Sequence, residues 1–266
     1  MNKFILKWHE ISERPLKIKA QISQKYTIKK LLGKGSYGFT YLVDDKQGTR
    51  YVLKQLRKYK MLDDHGRASF QREADILKTL RHSAYPAFYE QFEEDGRSFI
   101  LMEYKQGFTF EQLIFNENHI YDEKASFYHL ERILEIVRPI HNLGIVHRDL
   151  RIPNILMNGN EYYIIDFGLA RKVSDKKSNE EVNEILAKQL FREIAFKSDF
   201  YALGHFVLFL LYSGYEPETR KSRSWEDELE LSVTSKKILR KMLQLDEPYH
   251  DIEQLLMDVK LFNGGI

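Results

Sequence analysis

Two short polar segments near the middle of the chain carry side chains suited to moving a phosphoryl group. The first reads HRDLRIPN (147–154), and the second reads IDFG (165–168). Phosphoryl transfer needs a carboxylate that orients a hydroxyl and accepts its proton, together with oxygen ligands for Mg²⁺. Asp149 suits the first task, and Asn154 and Asp166 suit the second.

The residues between these two segments predict a short β-hairpin. Residues 155–157 and 162–165 are apolar, β-prone runs, and the turn sequence Asn-Gly-Asn (158–160) separates them. A hairpin of this length carries the chain from Asn154 back to Asp166. The sequence therefore predicts that the three polar groups lie near one another on a rigid support.

The order H-R-D-L-x-x-x-N followed by D-F-G resembles the catalytic loop and the metal-binding motif of the protein kinase family. This resemblance implies that Asp149 is the catalytic carboxylate and that Asn154 and Asp166 bind Mg²⁺. Arg151 is a departure, because serine/threonine kinases usually have Lys there, near the γ-phosphate, and some tyrosine kinases have Arg. Arginine keeps the positive charge with a different geometry, and we expect serine or threonine acceptors.

A glycine-rich segment near the start of the chain supports the same resemblance. Residues 33–40 read GKGSYGFT and lie between two β-prone stretches, Tyr26–Leu32 and Tyr41–Val43. A dinucleotide-binding fold requires a helix directly after such glycines, whereas a strand follows here. Strand, loop and strand resemble the kinase flap whose backbone approaches the phosphates of ATP. The ATP-contacting residues implied in this segment are Leu32, Gly33, Lys34, Gly35, Ser36, Tyr37, Gly38, Phe39 and Thr40, the last standing where the family usually has Val.

A third predicted strand, Tyr51–Lys54, ends in a lysine that resembles the kinase lysine holding the α- and β-phosphates. Val52 in this strand replaces the usual alanine beside the adenine. An apolar stripe of helical period predicts a helix at about Arg67–Arg81. Glu73 on that helix resembles the glutamate that pairs with the lysine, so Lys54 and Glu73 join the implied catalytic set.

Two more strands are expected at Pro86–Phe92 and Ser98–Glu103, and the segment after them resembles the kinase hinge. Met102 stands at the gatekeeper position. Backbone groups of Glu103, Tyr104 and the next residue are implied to contact the adenine edge. From there on, the pattern becomes helical.

The region after Asp166 resembles the family least. Between Gly168 and Asp199 there is no Ala-Pro-Glu motif, no threonine and no tyrosine, and the late arginine that pairs with the glutamate of that motif is also missing. Residues 179–193 are predicted to be helical. Because both halves of one ion pair are missing, we expect a different local arrangement, in which Arg148 either receives a phosphoserine or has a structural role.

The most apolar helix is predicted to begin at Ser198 or Asp199, either of which is a good N-cap residue, and to run through Tyr212. It resembles the central helix of the kinase large lobe. In that family the aspartate at its start, here Asp199, braces the backbone of the HRD loop.

Length and composition fit a single bilobal unit. The chain has 266 residues, with 41 Lys and Arg against 39 Asp and Glu, which favours neither a nucleic-acid partner nor an acidic tail. The absence of cysteine excludes disulfides, thiolate metal sites and a cysteine nucleophile. The longest apolar run, Leu203–Tyr212, is too short for a membrane span, and we expect a cytoplasmic protein.

Residues 1–25 form a basic extension with apolar residues at positions 4, 5, 8 and 11. Three interpretations stay open: the segment packs on the first lobe, it docks a partner or an anionic membrane surface, or it is disordered.

The expected fold is α+β and bilobal, with a small β-rich lobe (26–104) that contains one key helix and a larger helical lobe (105–266). The expected function is transfer of the γ-phosphate of Mg-ATP to protein hydroxyls, with autophosphorylation and protein substrates as partners. Two alternatives remain: a pseudokinase that binds ATP as a scaffold, and a small-molecule kinase, which typically has Gly where this chain has Arg148.

Overall fold

The computed structural model describes residues 13–35, 37–175, 190–217 and 223–264. The chain divides into two compact units, Met1–Gln106 and Gly107–Ile266. The first is a β-sheet with one long helix, and the second is mainly helical. The expected α+β class, with a smaller β-rich part followed by a larger helical part, is confirmed.

The first unit is built on a six-stranded sheet in the order β1-β2-β3-β4-β6-β5. Every neighbouring pair is antiparallel. Apolar residues that alternate along the strands bury one face of the sheet in a core that includes Ile28, Tyr41 and Leu53. The strands are β1 (Gln21–Ile22), β2 (Tyr26–Lys34), β3 (Gly38–Asp44), β4 (Arg50–Leu56), β5 (Phe88–Glu94) and β6 (Arg97–Glu103).

Two helices follow β4, namely α1 (Lys58–Met61) and α2 (Asp64–Thr79). Helix α2 begins three residues before the expected Arg67, because the Asp63 carboxylate accepts a hydrogen bond from the backbone N–H of His65 and caps the helix at that point. Its inward residues, among them Phe70, Ala74 and Leu77, are buried as the apolar stripe predicts.

Residues 13–25 pack on the sheet of the first unit. Strand β1 pairs with β2, Ile22 is part of the core, and the backbone N–H of Leu16 donates to the Tyr41 hydroxyl at 2.9 Å. For this stretch the packed interpretation of the extension is therefore correct. Residues 1–12, including the apolar positions 4, 5, 8 and 11, lie outside the described residues.

The second unit is organised around a long helix, α4 (Glu123–Asn142), which packs against α5 (Phe196–Tyr212) and α8 (Ile252–Phe262). Three strands form a small sheet in the order β10-β9-β7, and β11 pairs with β8. No helix within the described ranges has both the length and the hydrophobicity required to cross a membrane. The elements are β7 (Phe108–Thr109), α3 (Phe110–Phe115), α4 (Glu123–Asn142), β8 (Ile145–Val146), β9 (Ile155–Asn158), β10 (Glu161–Ile164), β11 (Arg171–Lys172), α5 (Phe196–Tyr212), α6 (Trp225–Glu228), α7 (Val233–Met242) and α8 (Ile252–Phe262).

The expected start of α5 is wrong. Its N-cap is Ala195, which makes no side-chain cap, and the helix begins at Phe196. Ser198 instead donates its hydroxyl to the carbonyl of Ala195 at 2.9 Å, and the Asp199 carboxylate is used by another segment. Most of the predicted helix 179–193 lies outside the described residues.

Candidate active site

The hairpin of β9 and β10 places Asn154 beside the chain that leads to Asp166. Ile155 pairs with Ile164, and one residue further out the backbone N–H of Ile165 donates to the carbonyl of Asn154 at 2.9 Å. Asn154 and Asp166 are therefore held at the same end of the hairpin, as the sequence predicts. Asp166 is exposed and has φ +63°, while Asn154 is only 8% exposed.

Asp149 is held by two side chains of its own loop. The Asn154 side-chain amide donates from Nδ2 to Asp149 Oδ2 at 2.8 Å and to the Asp149 carbonyl at 2.9 Å. Arg151 donates from Nε to Asp149 Oδ1 at 2.7 Å. Both carboxylate oxygens thus have a donor, and because Asn154 uses its N–H₂ group on Asp149, its Oδ1 is the atom suited to a metal.

The backbone of this loop rests on a buried carboxylate. Asp199, with 0% exposure, accepts from the backbone N–H of His147 at 2.8 Å and from that of Arg148 at 2.7 Å. This is the brace expected from the sequence. His141 Nε2 lies 2.9 Å from Asp199 Oδ2. Sequence reasoning missed His141, whose one signal is its place in the last turn of the helix that precedes the loop.

Arg148 has a structural role in this arrangement. Its guanidinium donates to the carbonyl of Leu169 at 3.2 Å and, from Nε, to the carbonyl of Arg192 at 2.8 Å. The residue is 2% exposed and has φ +66°, in the left-handed region. Arg148 therefore ties the loop to the segments after Asp166 through backbone oxygens.

Two side-chain rings, the imidazole of His147 and the phenyl ring of Phe167, pack against each other next to the loop. The ring of His147 meets that of Phe167 edge to face, with 4.8 Å between centroids. Burial lowers the pKa of His147, which favours the neutral imidazole. The HRD and DFG segments are thus joined by packing as well as by the hairpin.

In the first unit, Lys54 and Glu73 form a buried ion pair. Lys54 Nζ lies 2.7 Å from Glu73 Oε1, and the two side chains are 11% and 3% exposed. Lys54 lies within β4, which continues to Leu56, rather than at its end as expected, and Glu73 lies on α2. The pairing itself is as expected from the sequence, and it fixes the ammonium group at one position on the sheet.

Strand pairing gathers four of the implied ATP-contacting residues on one face of the sheet. Thr40 pairs with Lys54, and Val52 pairs with Met102. Paired residues, and residues two apart in one strand, share a face. Phe39 pairs with Gln55 on the opposite face and is fully buried in the core, so its side chain is turned away from these residues.

The glycine-rich loop, residues 33–38, joins the antiparallel strands β2 and β3. The backbone N–H of Gly35 donates to the carbonyl of Gly38 at 3.0 Å. A Cβ at Gly38 would lie 2.3 Å from the carbonyl oxygen of Gln55, so only glycine allows this close approach. Leu32 and Tyr37 are exposed, as is Lys34, and Ser36 lies outside the described residues.

The hinge segment offers fewer backbone groups than expected. The backbone N–H of Glu103 donates to the carbonyl of Ala87 at 2.8 Å, so this group is used within the protein. The Glu103 carboxylate accepts from Lys105 Nζ at 2.7 Å. An adenine ring would have to use other backbone groups of residues 103–105, which include Tyr104.

Comparison with known proteins gives one consistent result. A family model described as the protein kinase domain matches residues 26–257. The chain is 34% identical over 248 residues to the probable serine/threonine-protein kinase YbdM of Bacillus subtilis (strain 168), and the match covers 93% of each. It is 30% identical over 255 residues to calcium-dependent protein kinase 8 of Arabidopsis thaliana, covering 85% of this chain and 46% of that relative.

Among solved structures, the kinase domain of PknI from Mycobacterium tuberculosis is similar in fold. The superposition has a TM-score of 0.69 at 18% sequence identity and covers 93% of this chain and 99% of that domain.

Proposed function

The chain belongs to the protein kinase family, and from this membership we propose that it transfers the γ-phosphate of Mg-ATP to serine or threonine hydroxyls of proteins. The observation that carries the proposal is the Asp149 carboxylate, whose two oxygens are held by Arg151 and Asn154 inside the HRDLRIPN loop. The name of the 34% identical relative, a probable serine/threonine-protein kinase, supports the acceptor class.

Asp149 orients the acceptor hydroxyl and takes its proton as the hydroxyl oxygen bonds to the γ-phosphorus, while the bond from that phosphorus to the β,γ-bridging oxygen breaks and ADP leaves. The two hydrogen bonds to its oxygens fix the direction of the carboxylate, so little reorganisation is needed when the substrate arrives. The Arg151 side chain is 52% exposed, which leaves its guanidinium at the surface, where it meets the transferred phosphate. Asp199 helps to position Asp149 and Arg151, because it accepts hydrogen bonds from the backbone of the same loop at His147 and Arg148.

Asn154 and Asp166 are the residues that would hold Mg²⁺. The donor set fits, because an amide oxygen and an exposed carboxylate are hard ligands of the type that Mg²⁺ prefers. When bound, the ion supplies charge neutralisation on the phosphates. Lys54 holds the α- and β-phosphates, and its buried bond to Glu73 keeps the ammonium group in place. The residues proposed to contact ATP are otherwise Leu32–Thr40, Val52 and Met102–Tyr104.

The experiment is an incubation of the full chain with Mg-ATP, alone and with a general protein substrate, followed by phosphosite mapping by mass spectrometry. The variants are Asp149→Asn and, as a matched control, Asp227→Asn, which changes an exposed aspartate of α6. We expect the wild type and the Asp227→Asn control to produce phosphoserine or phosphothreonine on the substrate and on the chain itself. Asp149→Asn should produce neither.

Two results would point to the alternatives. ATP binding without transfer by any of the proteins would favour a scaffold that only binds nucleotide. Transfer to a small-molecule hydroxyl, with no phosphoprotein formed, would favour a small-molecule kinase. Phosphotyrosine in place of phosphoserine would reverse the proposed acceptor class.

A further inference from the structure

Arg57, near the glycine-rich loop, is a buried charged residue to which the family resemblance assigns no role. It follows β4, three residues after Lys54, and is only 4% exposed. Its side chain donates from Nε to the carbonyl of Gly35 at 3.0 Å, and its backbone N–H donates to the carbonyl of Tyr37 at 3.0 Å. Both acceptors lie in the glycine-rich loop.

The guanidinium group of Arg57 also lies over an aromatic ring. Its central carbon is 4.8 Å from the ring centroid of Phe39, at the start of β3. Phe39 is fully buried in the core of the sheet. A cation above an aromatic face is attracted by the ring quadrupole, so this contact anchors the guanidinium to a rigid part of the sheet while its Nε–H points to the loop.

A neighbouring residue strengthens the same connection. Lys60 Nζ lies 4.9 Å from the ring centroid of Tyr37, a residue of the loop whose side chain is otherwise exposed. Among the described residues, the contacts of segment 57–60 with the glycine-rich loop include a side-chain hydrogen bond, a backbone hydrogen bond and a cation–π contact.

This segment is itself fixed at its other side. The backbone N–H of Lys58 donates to both carboxylate oxygens of Glu13 at 3.1 Å. At Gly66, in the first turn of α2, a Cβ would lie 2.3 Å from the carbonyl oxygen of Lys60. The N-terminal extension and the helix that carries Glu73 thus hold residues 57–60 in place, and these hold the loop.

We propose that Arg57 is a positioning residue for the glycine-rich loop, and that it sets the affinity of the protein for the phosphate groups of ATP. The inference rests on the proposed function, in which this loop covers those phosphates. Glycines allow the loop backbone many conformations. The hydrogen bonds that Arg57 donates to the loop carbonyls exclude most of these conformations before the nucleotide arrives. The ordering entropy is then not lost on binding.

The test compares Arg57→Met, Arg57→Lys and Arg50→Met. Methionine keeps the length and apolar stem of the side chain but removes the charge and the Nε–H donor. Lysine keeps the charge without the planar donor geometry. Arg50, an exposed residue at the start of β4, the strand that Arg57 follows, is the matched control. Thermal unfolding of each variant shows whether it is folded at the assay temperature.

The first readout is nucleotide affinity, measured separately for ATP and for adenosine, which lacks phosphates. For Arg57→Met we expect Kd for ATP to rise about tenfold, which corresponds to about 1.4 kcal/mol, while Kd for adenosine changes less than about twofold. Arg57→Lys should be intermediate, and Arg50→Met should match the wild type.

The second readout is amide hydrogen exchange without nucleotide. We expect Arg57→Met to speed exchange in residues 33–39 and to leave the rest of the sheet protected as in the wild type. This readout requires no catalysis and no bound ligand, so it decides the role of Arg57 even if the protein transfers no phosphate.

Two outcomes would overturn the inference. One is unchanged ATP affinity in Arg57→Met. The other is an equal loss for ATP and adenosine together with faster exchange across the whole sheet, which would show that Arg57 only stabilises the unit. Failure of the proposed function appears differently, as wild-type protein without phosphoryl transfer in the mass-spectrometric assay.

Discussion

Substituting Asp199 by asparagine should reduce both the stability and the activity of this protein. The carboxylate is fully buried and uses one oxygen for the backbone N–H of Arg148 and the other for that of His147. His141 Nε2 lies close to the second oxygen. Asparagine has the same shape but is uncharged and has only one oxygen, so one of the two backbone N–H groups loses its acceptor.

The size of the effect follows from these contacts. Hydrogen bonds to a charged group contribute about 1.5–3 kcal/mol each, and a buried donor left without a partner costs a similar amount. In Asp199→Asn, one backbone N–H faces the side-chain N–H₂ group. We therefore expect the free energy of unfolding to fall by about 3 kcal/mol, a large share of the stability of an ordinary domain.

The assay is urea denaturation followed by circular dichroism, together with phosphoryl transfer measured well below the unfolding transition. Asp149→Asn is the comparison, because its loss should be smaller: the amide oxygen can still accept from one of the two donors, the half-exposed Arg151 can turn to water, and Asn154 keeps its bond to the Asp149 carbonyl. We expect Asp149→Asn to abolish transfer while lowering the unfolding free energy by about 1 kcal/mol, well below the loss in Asp199→Asn. An Asp199→Asn protein with wild-type stability and activity would refute the reasoning.

Two further predictions concern stability alone. Burial lowers the pKa of His129 to about 4, so stability is lost as pH falls from about 6.5 towards 4, where the unfolded chain binds the proton and the folded one does not. His129→Gln should reduce that loss by about 3 kcal/mol in thermal melts across this range, whereas His250→Gln, at an exposed site, should not. Tyr41→Phe removes the hydroxyl that accepts from the N–H of Leu16. The free energy of unfolding, measured by urea denaturation, should fall by about 1–2 kcal/mol, whereas Tyr89→Phe, at an exposed site, should leave it unchanged. Equal stabilities of the two variants would contradict the prediction.

The hairpin that joins the two catalytic segments was predictable because every signal for it is local. β-Prone runs on either side of an Asn-Gly-Asn turn predict strands at 155–157 and 162–165, and the strands are observed at Ile155–Asn158 and Glu161–Ile164. The side chains that hold Asp149 are equally near in sequence, at positions 151 and 154. Neighbouring residues of the right chemistry are enough to predict this part of the site.

The start of α5 was not predictable in the same way. Ser198 and Asp199 look like caps to any local rule, but each makes a different bond. The Asp199 carboxylate is taken by backbone groups about fifty residues earlier in the chain. A local cap and a long-range brace compete for the same carboxylate, and the bonds to His147 and Arg148 decide where the helix begins.

The burial of Arg57 was likewise not predictable from the local sequence. A strand that ends in charged residues is ordinarily exposed at that end, and nothing near Arg57 in the sequence indicates that it is buried. Its burial follows from three elements that meet there: the glycine-rich loop, whose carbonyls need donors; Phe39, which supplies a ring face; and segment 58–60, held by Glu13. The reacting groups of the site can therefore be predicted from local sequence. The residues that fix the positions of those groups cannot, because their roles depend on packing between distant segments. Substitutions at Asp199 and Arg57 should accordingly change the geometry of the site while leaving every reacting group present.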